Sequence, residues 1–304
     1  MSEAPYQQIA GELRRRIEAG ELRPGDRVPS TRALVRDFGV AMATATKALQ
    51  VLQQERLVHP SPGVGTVVGP PPRPRRTEAV AAERRVVVDG DLNRDEVVRM
   101  AIAIADADGL PALSMRRLAA ELGVSTMALY RYVGGKDALV MQMVDAAIQE
   151  FPLGEPLADW REQIAFVARV HWKAYRRHLW MASAISLSRP QLVPGLLPHS
   201  NAVLRALRGF SKVDALSAMI STFAYVRGIA LVMEAEAQAE QDTGLTADEW
   251  MDRQGGQLAT MIAAGNLSEF REFFADGFTY DYDLDHLFEF GLAVMLDGIG
   301  ARLR

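Results

Sequence analysis

The five histidines are the side chains best suited to metal or acid–base chemistry in this chain, which contains no cysteine. Without cysteine, thiol catalysis, disulfide scaffolds and cysteine-ligated zinc are excluded. None of the histidines shows metal-ligand spacing, although two of them, seven residues apart, would share a helix face. They are His59, His171, His178, His199 and His286.

The acidic and glycine-rich motifs do not complete a catalytic site either. Glu234 and Glu236, like the alternating aspartates at 281–285, lie in polar stretches. GGK at 134–136 and PGVGT at 62–66 lack the flanking strand and the full glycine spacing of a phosphate loop. The sequence therefore predicts a protein that is not an enzyme and that needs no cofactor and no bound metal.

Two helix-turn-helix signatures, at residues 28–49 and 114–132, indicate a different chemistry. Charge is distributed unevenly along the chain: residues 1–76 contain twelve Lys and Arg against seven Asp and Glu, whereas 77–304 contain 22 against 31. A basic head on an acidic body suits a protein that presents one end to phosphates, although an ordinary solvated surface would have the same charges. Together the two signatures indicate a DNA-binding regulator.

The pattern predicts a mainly α fold in four segments. Residues 1–68 form three helices and a β-hairpin, which is a winged helix-turn-helix. Residues 69–92 are a linker rich in proline and arginine. Residues 93–150 form an all-α helix-turn-helix head, and residues 151–304 form a helical regulatory and dimerisation core.

Serine and glycine mark the boundaries of the short helices. Ser30 is the predicted N-cap of a helix that runs to about Phe38, and Ser114 has the same role for the helix MRRLAAEL. Gly39 and Gly123 end these two helices. In the body, the long amphipathic segments are predicted at about 157–177, 196–208, 212–240 and 283–302.

The first head, residues 5–68, resembles the GntR-family DNA-binding domain over its whole length, most specifically in PGDRVPSTRAL and PGVGTVV. In that family the third helix enters the major groove and the wing contacts the backbone or the minor groove. The resemblance implies DNA contacts by side chains on the second and third helices and a close approach of two wing glycines to a phosphate. These residues are Arg32, Thr44, Thr46, Lys47, Gly63 and Gly65.

The first head departs from the family at the start of its recognition helix. Family members have Ser or Thr followed by Arg, where this chain has Ala41 and Met42. Neither side chain makes a charge-assisted hydrogen bond to a phosphate or a base edge. We therefore expect weaker or less selective DNA contact, and the alternative is a module that positions the dimer or binds another protein.

The second head, residues 93–150, resembles the TetR-family DNA-binding domain throughout. Ser125 begins a helix so short that its first residues and outer face project into a groove. By the resemblance, hydroxyl, aromatic and basic side chains anchor phosphates while the first helical residues touch bases. The candidate contacts are Arg116, Ser125, Thr126, Met127, Tyr130, Arg131, Tyr132 and Lys136. Core packing remains the alternative for the two tyrosines, and a solvated surface position remains the alternative for Arg131.

The body resembles the regulatory core of tetracycline-repressor-like TetR proteins, on landmarks of the HL, SRP, LRGF and FEFGL type. In that family the core binds a small molecule. The resemblance implies pocket positions at Val167, His171, Trp172, Ile185, Asn201, Phe223 and Tyr225, with core packing as the alternative for each. Ile185 occupies the position of the family's metal-binding histidine, so an apolar or aromatic ligand is expected rather than a magnesium-chelated tetracycline.

A homodimer is also expected, because in this family two of the last helices meet their mates in a four-helix interface. The candidate stripes are Ala215, Met219, Thr222, Val226 and Ala230 together with Phe290, Val294 and Ile299, and the sequence does not separate a dimer interface from internal packing.

The sequence thus predicts a ligand-responsive transcriptional regulator, most simply a repressor that binds a palindromic operator in double-stranded DNA. The N-terminus is polar, and the apolar stretch 213–233 is interrupted by Asp214 and Arg227. We therefore expect no membrane span and a cytoplasmic location. The alternative is an architectural DNA-binding protein without a ligand.

Overall fold

The computed structural model describes residues 4–61, 65–69, 92–187, 189, 191–265, 267–273 and 283–302. The chain divides into two compact units, one formed by residues 1–73 with 235–286 and the other by residues 74–234 with 287–304. Most of the predicted linker, residues 70–91, lies outside the described residues. The expected mainly helical fold with a small wing is confirmed.

The N-terminal head of the first unit is a winged helix-turn-helix. Its elements are α1 (Pro5–Glu18), α2 (Thr31–Phe38), α3 (Met42–Gln54), β1 (Val58–Ser61) and β2 (Gly65–Val68). Apolar residues from all three helices, such as Leu13, Leu34 and Leu52, form one buried cluster with Val58 and Val68 of the hairpin. Burial of these side chains is the main force that holds the head together.

Local signals set the ends of α2 as predicted. The Ser30 hydroxyl accepts a hydrogen bond from the Ala33 amide at 3.2 Å, and Gly39 ends the helix in the left-handed region at φ 63°. The two strands pair antiparallel, with Val58 opposite Val68 and Ser61 opposite Gly65. These features place α3 after a tight turn on α2, which is the geometry of a recognition helix.

The second head is also a helix-turn-helix, but it consists of helices only. It contains α4 (Arg94–Asp108), α5 (Met115–Leu122), α6 (Thr126–Val133) and α7 (Lys136–Gln149). Ser114 and Ser125 cap α5 and α6 through hydrogen bonds from the amides of Arg117 and Ala128, and Gly123 separates the two helices at φ 68°. Both serine caps predicted from the sequence are therefore confirmed.

The body continues with α8 (Trp160–Arg177), the short α9 (Met181–Ala184), α10 (Leu197–Ala206) and α11 (Lys212–Thr243). They are followed by α12 (Ala247–Ala264), α13 (Ser268–Phe273) and α14 (Leu284–Ala301). The four long segments predicted for the body correspond to α8, α10, α11 and α14. Helix α12 was not among the predicted segments; it begins at a capping box between Thr246 and Glu249.

Helix α11 is long and apolar enough to cross a membrane by length and composition alone. It nevertheless carries Asp214, Arg227 and Glu234, and it buries Thr222 and Val226 inside the protein. The helix therefore has a buried face and an exposed face, as a helix on the outside of a helical bundle does.

Candidate nucleic-acid interface and effector core

Helix α6 presents its first turn and one side to solvent. Ala128 and Leu129 are buried beneath it, whereas Met127 is 76% exposed and Tyr130 is 47% exposed. Met127 and Tyr130 are three residues apart, so they lie on the same face of the helix. The arrangement is that of a recognition helix whose outer face is free to enter a groove.

A basic corner adjoins this helix at the start of α7. Gly134 and Gly135 adopt positive φ angles of 69° and 121°, and the exposed Lys136 follows as the first residue of α7. The Tyr130 ring lies beside this turn, since a Cβ on Gly135 would be 3.9 Å from its Cε1 atom. The Tyr130 ring, Lys136 and the N-terminus of α7 therefore flank the same turn, and hydroxyl, ammonium and helix N-terminal amide groups are the kinds of group that bind phosphate.

The other predicted contacts of the second head are also accessible. Thr126 and Tyr132 are partly buried, and the remaining candidates are exposed: Arg116, Ser125 and Arg131. Arg117, next to Arg116 in the sequence, faces another way and is paired with Asp108. The structure thus leaves all eight positions accessible at least in part, and their individual DNA contacts stay predictions.

The recognition helix of the first head differs from that of the second head in its N-cap residue and in the contacts of its lysine. Its N-cap residue, Ala41, provides no side-chain hydrogen bond, and Met42 is partly buried. Thr44 and Thr46 are also partly buried. The ammonium group of Lys47 lies 4.5 Å from the centroid of the Tyr6 ring, which is a cation–π contact.

Gly65 of the wing has a structural reason for being glycine. Its φ is 99°, and a Cβ there would come within 3.0 Å of the Arg27 Nε atom. Arg27 in turn forms an ion pair with Asp283 at 2.9 Å. Gly63 lies outside the described residues, and so does the side chain of Arg32, whose backbone belongs to α2.

A cluster of hydrogen bonds joins the second head to the body. Asp106, near the end of α4, accepts hydrogen bonds at 2.8 Å from His178 Nδ1 and from Trp180 Nε1, and Arg177 contributes a third at 3.2 Å. His178 and Trp180 are almost completely buried. We call these four residues the Asp106 junction. It connects the first helix of the head directly to the segment between α8 and α9.

A second polar link ties α9 to α11. The Arg227 Nε atom donates to the Ala182 carbonyl at 2.8 Å, and the Ser183 hydroxyl donates to Glu234 at 2.8 Å. Burial raises the pKa of the Glu234 carboxyl, which the Ser183 hydrogen bond partly offsets. Because α9 follows the Asp106 junction in the chain, hydrogen bonds connect α11 to α9 and the adjoining segment to the head.

The interior between α8, α10 and α11 contains two imidazoles and an aromatic ring. His171 lies 4.8 Å from Phe223 and 4.9 Å from His199, measured between ring centroids. His171 and Phe223 were predicted from the sequence as pocket residues, whereas no local pattern gave a signal for His199. Burial lowers the pKa of His171 to about 3 and that of His199 to about 4, so both imidazoles are neutral at physiological pH.

The remaining predicted pocket residues occupy different environments. Val167 is buried on α8, and Ile185 is partly buried just after α9. Trp172 is stacked on Phe288 of α14 with 4.7 Å between ring centroids. The Tyr225 hydroxyl donates to the Leu287 and Phe288 carbonyls at 2.8 and 2.9 Å, and Asn201 lies at an exposed position of α10. Contact of these residues with a ligand stays a prediction.

Within the residues that the structure describes, no group of three or more His, Asp or Glu side chains is arranged to hold a metal ion.

Three families of known proteins match successive parts of the chain. Residues 5–68 match "Bacterial regulatory proteins, gntR family", and residues 98–143 match "Bacterial regulatory proteins, tetR family". Residues 151–303 match "Tetracyclin repressor-like, C-terminal domain", which covers half of the chain. The chain belongs to the TetR family of bacterial transcriptional regulators. It carries a GntR-type domain in front of the TetR head.

Individual relatives agree with this assignment. The HTH-type transcriptional repressor DrrR1 of Streptomyces coeruleorubidus is 39% identical over 68% of this chain and 77% of its own. The class A tetracycline repressor from transposon 1721 of Escherichia coli is 28% identical, over 69% and 92% of the two chains. The crystal structure of the Streptomyces coelicolor TetR family protein ActR in complex with (S)-DNPA matches with a TM-score of 0.56 and 27% identity, over 70% of this chain and 99% of that one.

The TetR-family regulator also has two exposed apolar stripes on its late helices. On α11 the stripe is formed by Val213, Leu216 and Ile220, and on α14 by Phe290 and Val294, which are 61% and 56% exposed. The stripe that the sequence suggested on α11 faces inward instead, because Ala215, Thr222, Val226 and Ala230 are buried within the chain. A spacing of three and four residues shows which side chains share a helix face. Which of the faces is buried depends on the neighbouring helices.

Proposed function

We propose that this TetR-family protein is a homodimeric repressor whose second head, residues 93–150, binds a palindromic operator and is released when a small molecule enters the core. Two such heads, one from each subunit, would contact successive major-groove half-sites. The ligand would favour a conformation in which the heads no longer match that spacing. The protein would act in the cytoplasm as a regulator rather than as an enzyme.

The main observation that supports this proposal is the combination of an exposed recognition helix with the Asp106 junction. The junction connects the head to the end of α8, and α8 carries His171 in the interior of the core. A ligand between α8, α10 and α11 therefore has a short, hydrogen-bonded route to the head. The shift in population is limited by the ligand's difference in affinity for the two conformations.

The chemistry of the interior supports an apolar or aromatic effector. Phe223 and Val167 provide an apolar lining, and Ile185 cannot ligate the metal of a chelated drug. Solved structures of the similar protein ActR contain (S)-DNPA or actinorhodin. A small organic effector for this chain is in agreement with those complexes.

The stripes on α11 and α14 support the dimer. Exposed apolar residues at 213, 216 and 220, and at 290 and 294, recur every three or four residues on each helix. Two such helices from each subunit would form a four-helix interface that buries these side chains.

The GntR-type head, residues 1–68, would give the dimer two further DNA-reading units. Tethering raises the effective concentration of a weak head near DNA, so that even a poor contact lengthens the bound site. Because Ala41 provides no side-chain cap for α3 and Lys47 contacts the Tyr6 ring, this head is expected to contribute less to DNA binding than the second head.

Selection of binding sites from random DNA with the full-length protein tests the proposal. We expect a palindrome, and a variant with Tyr130→Ala and Lys136→Ala should fail to enrich it. Enrichment of no sequence at all would favour the architectural alternative. A palindrome that survives the double variant would show that the second head is not the reader.

A further inference from the structure

The wing of the first head is covered on the face that points away from the core of that head. Side chains alternate between the two faces of a strand, so Val67 lies on the face opposite to Val68, which belongs to the buried cluster of the head. Val67 is nevertheless only 6% exposed. Residues 235–286 belong to the same compact unit as this head, and an ion pair joins that segment to the wing.

Arg27 is the residue through which the wing meets this segment. Its backbone forms an antiparallel bridge with Val67, so the two side chains share the outer face of the wing. The guanidinium lies across Gly65, where a Cβ would be 3.0 Å from Nε and 3.4 Å from Nη2. The Nη1 atom lies 2.9 Å from the Asp283 Oδ2 atom, and the two side chains are only 20% and 25% exposed.

The Asp283 carboxylate is held in position by helix α14. Its Oδ1 atom accepts hydrogen bonds from the amides of Asp285 and His286 at 2.9 and 3.3 Å, in the manner of an N-cap. One oxygen of this carboxylate therefore caps α14, while the other forms the ion pair with Arg27. The wing is thus paired with a carboxylate whose orientation the start of α14 sets.

A carboxylate is the protein group that most resembles a DNA phosphate toward a guanidinium. Both are oxyanions that accept charge-assisted hydrogen bonds from the same N–H donors. Gly65, which the Arg27 side chain crosses, is one of the two glycines predicted to bring the wing close to a phosphate. A phosphate that approaches the wing there must displace the Asp283 carboxylate before it pairs with Arg27.

We propose that Arg27 is a phosphate-binding residue of the wing and that Asp283 is its intramolecular competitor, which keeps the first head in an autoinhibited state. DNA that engages the wing exchanges the carboxylate for a phosphate. The inference rests on the proposed function, because it assumes that the GntR-type head reaches DNA beside the operator. It adds a residue that contacts DNA and a second reason, besides Ala41 and Met42, why this head binds weakly.

Selection of sites from random DNA with the full-length native protein and with Asp283→Asn tests the competition. Asparagine keeps the capping oxygen and removes only the charge. We expect both proteins to enrich the same palindrome, and the variant to enrich a longer site with a flanking element. By fluorescence anisotropy, the variant should bind this extended site roughly ten-fold more tightly than the native protein does, and the palindrome with scrambled flanks equally well.

Variants of the partner residue show whether Asp283 acts through Arg27. Arg27→Gln should reduce the slope of log affinity against log salt on the extended site by about 2 for the dimer, one phosphate per head. Adding Asp283→Asn to Arg27→Gln should then change nothing, because the carboxylate has lost its target. Asp242→Asn is the matched control, since it removes the same charge from an exposed position of α11 in the same unit and keeps the hydrogen bond from Gln238.

Four outcomes would overturn the inference: no flanking element in either selection, equal affinity of the native protein and Asp283→Asn for the extended site, an equal gain from Asp242→Asn, or a gain that persists with Arg27→Gln. The same selections separate the two proposals. A palindrome that is enriched without any effect of Asp283 would leave a regulator whose first head is not autoinhibited. A flanking element that Asp283→Asn enriches without a palindrome would keep the autoinhibition and contradict the proposed function.

Discussion

The two heads of this chain share a helix-turn-helix geometry but differ at the residues that would touch DNA. The recognition helix of the second head begins at a serine cap, Ser125, and exposes Met127 and Tyr130 beside the exposed Lys136. The recognition helix of the first head begins at Ala41, which caps nothing, and its lysine, Lys47, lies over the Tyr6 ring. The helix-turn-helix scaffold therefore fixes where a recognition helix lies. The side chains of its first turn and the neighbouring cations determine whether the helix has groups that can contact bases and phosphates.

The heads also differ in how a loss of local packing would affect the rest of the chain. The second head is hydrogen-bonded to the regulatory core through the Asp106 junction, and buried donors on the body side depend on that carboxylate. Three predictions test these differences, beginning with the largest expected effect, and a fourth concerns the two buried imidazoles of the body.

The combined change Tyr130→Ala and Lys136→Ala should abolish most operator binding. In the proposed dimer the change would remove four phosphate contacts at about 1 kcal/mol each, which corresponds to roughly 1000-fold in affinity. Fluorescence anisotropy with labelled operator DNA measures the loss. Lys47→Ala in the first head is the matched control and should cost less than about 5-fold; equal losses from the two heads would contradict the contrast between them.

Asp106→Ala should lower the free energy of unfolding of the second unit by about 3 kcal/mol, because it leaves the buried His178 and Trp180 donors without an acceptor. Denaturation followed by tryptophan fluorescence reports this change, since Trp180 belongs to the junction. Asp108, two residues after Asp106, forms an exposed ion pair with Arg117. Asp108→Ala removes this ion pair and should lower the free energy of unfolding by less than about 1 kcal/mol. Similar losses for the two aspartates would mean that the junction is not a special connection.

Much of this contrast is visible in the sequence, and the reason is that it depends on short-range signals. Ser30, Ser114 and Ser125 were predicted as caps or helix starts because a cap is defined by residues three positions apart. The unusual Ala41 and Met42 were equally visible. The boundaries of the heads and the helical nature of the body follow from the same kind of local pattern.

What the sequence could not predict depends on contacts between distant segments. Asp106 meets His178 across 72 residues, and no spacing rule connects them. His199 was missed for the same reason, since only the packing of α10 against α8 brings it to His171. Helix periodicity alone did not decide which face of α11 is buried, so the inward position of Thr222 and Val226 emerged only from the structure.

Restoring the usual residues should convert the first head into a stronger reader. The change Ala41→Ser with Met42→Arg supplies a cap and a cation at the start of α3, and we expect roughly ten-fold tighter binding to a composite operator. The slope of log affinity against log salt should steepen by about 2 for the dimer, one additional phosphate per head. An unchanged slope would indicate that this helix does not face DNA at all.

Acidification should destabilise the core through its imidazole pair. Burial holds the pKa of His171 at about 3 and that of His199 at about 4 in the folded protein, below the ordinary value of 6.5, so the unfolded chain takes up these protons first. The free energy of unfolding then falls as the pH drops from 6.5 toward 4, by up to about 1.4 kcal/mol per pH unit for each imidazole. Burial raises the pKa of Tyr175, whose ring centroid lies 6.2 Å from that of His171, to about 12, so Tyr175 does not titrate in this range.

Comparison of the native protein with the His171→Phe, His199→Leu variant isolates this contribution, because carboxylates titrate equally in both. We expect the difference in stability between the two proteins to grow as the pH is lowered. A constant difference would mean that the imidazoles are not the groups responsible.

The contact between Tyr225 and α14 constrains which substitutions this sequence can accept at positions 225 and 291. The Tyr225 hydroxyl is hydrogen-bonded to two carbonyls of α14, and a Cβ at Gly291 would come within 2.1 Å of the hydroxyl oxygen. Any mutation of Gly291 would therefore displace the phenol ring and break both hydrogen bonds. Positions 225 and 291 are expected to evolve as a covarying pair, in which a side chain at 291 is accepted only after the ring at 225 has become smaller.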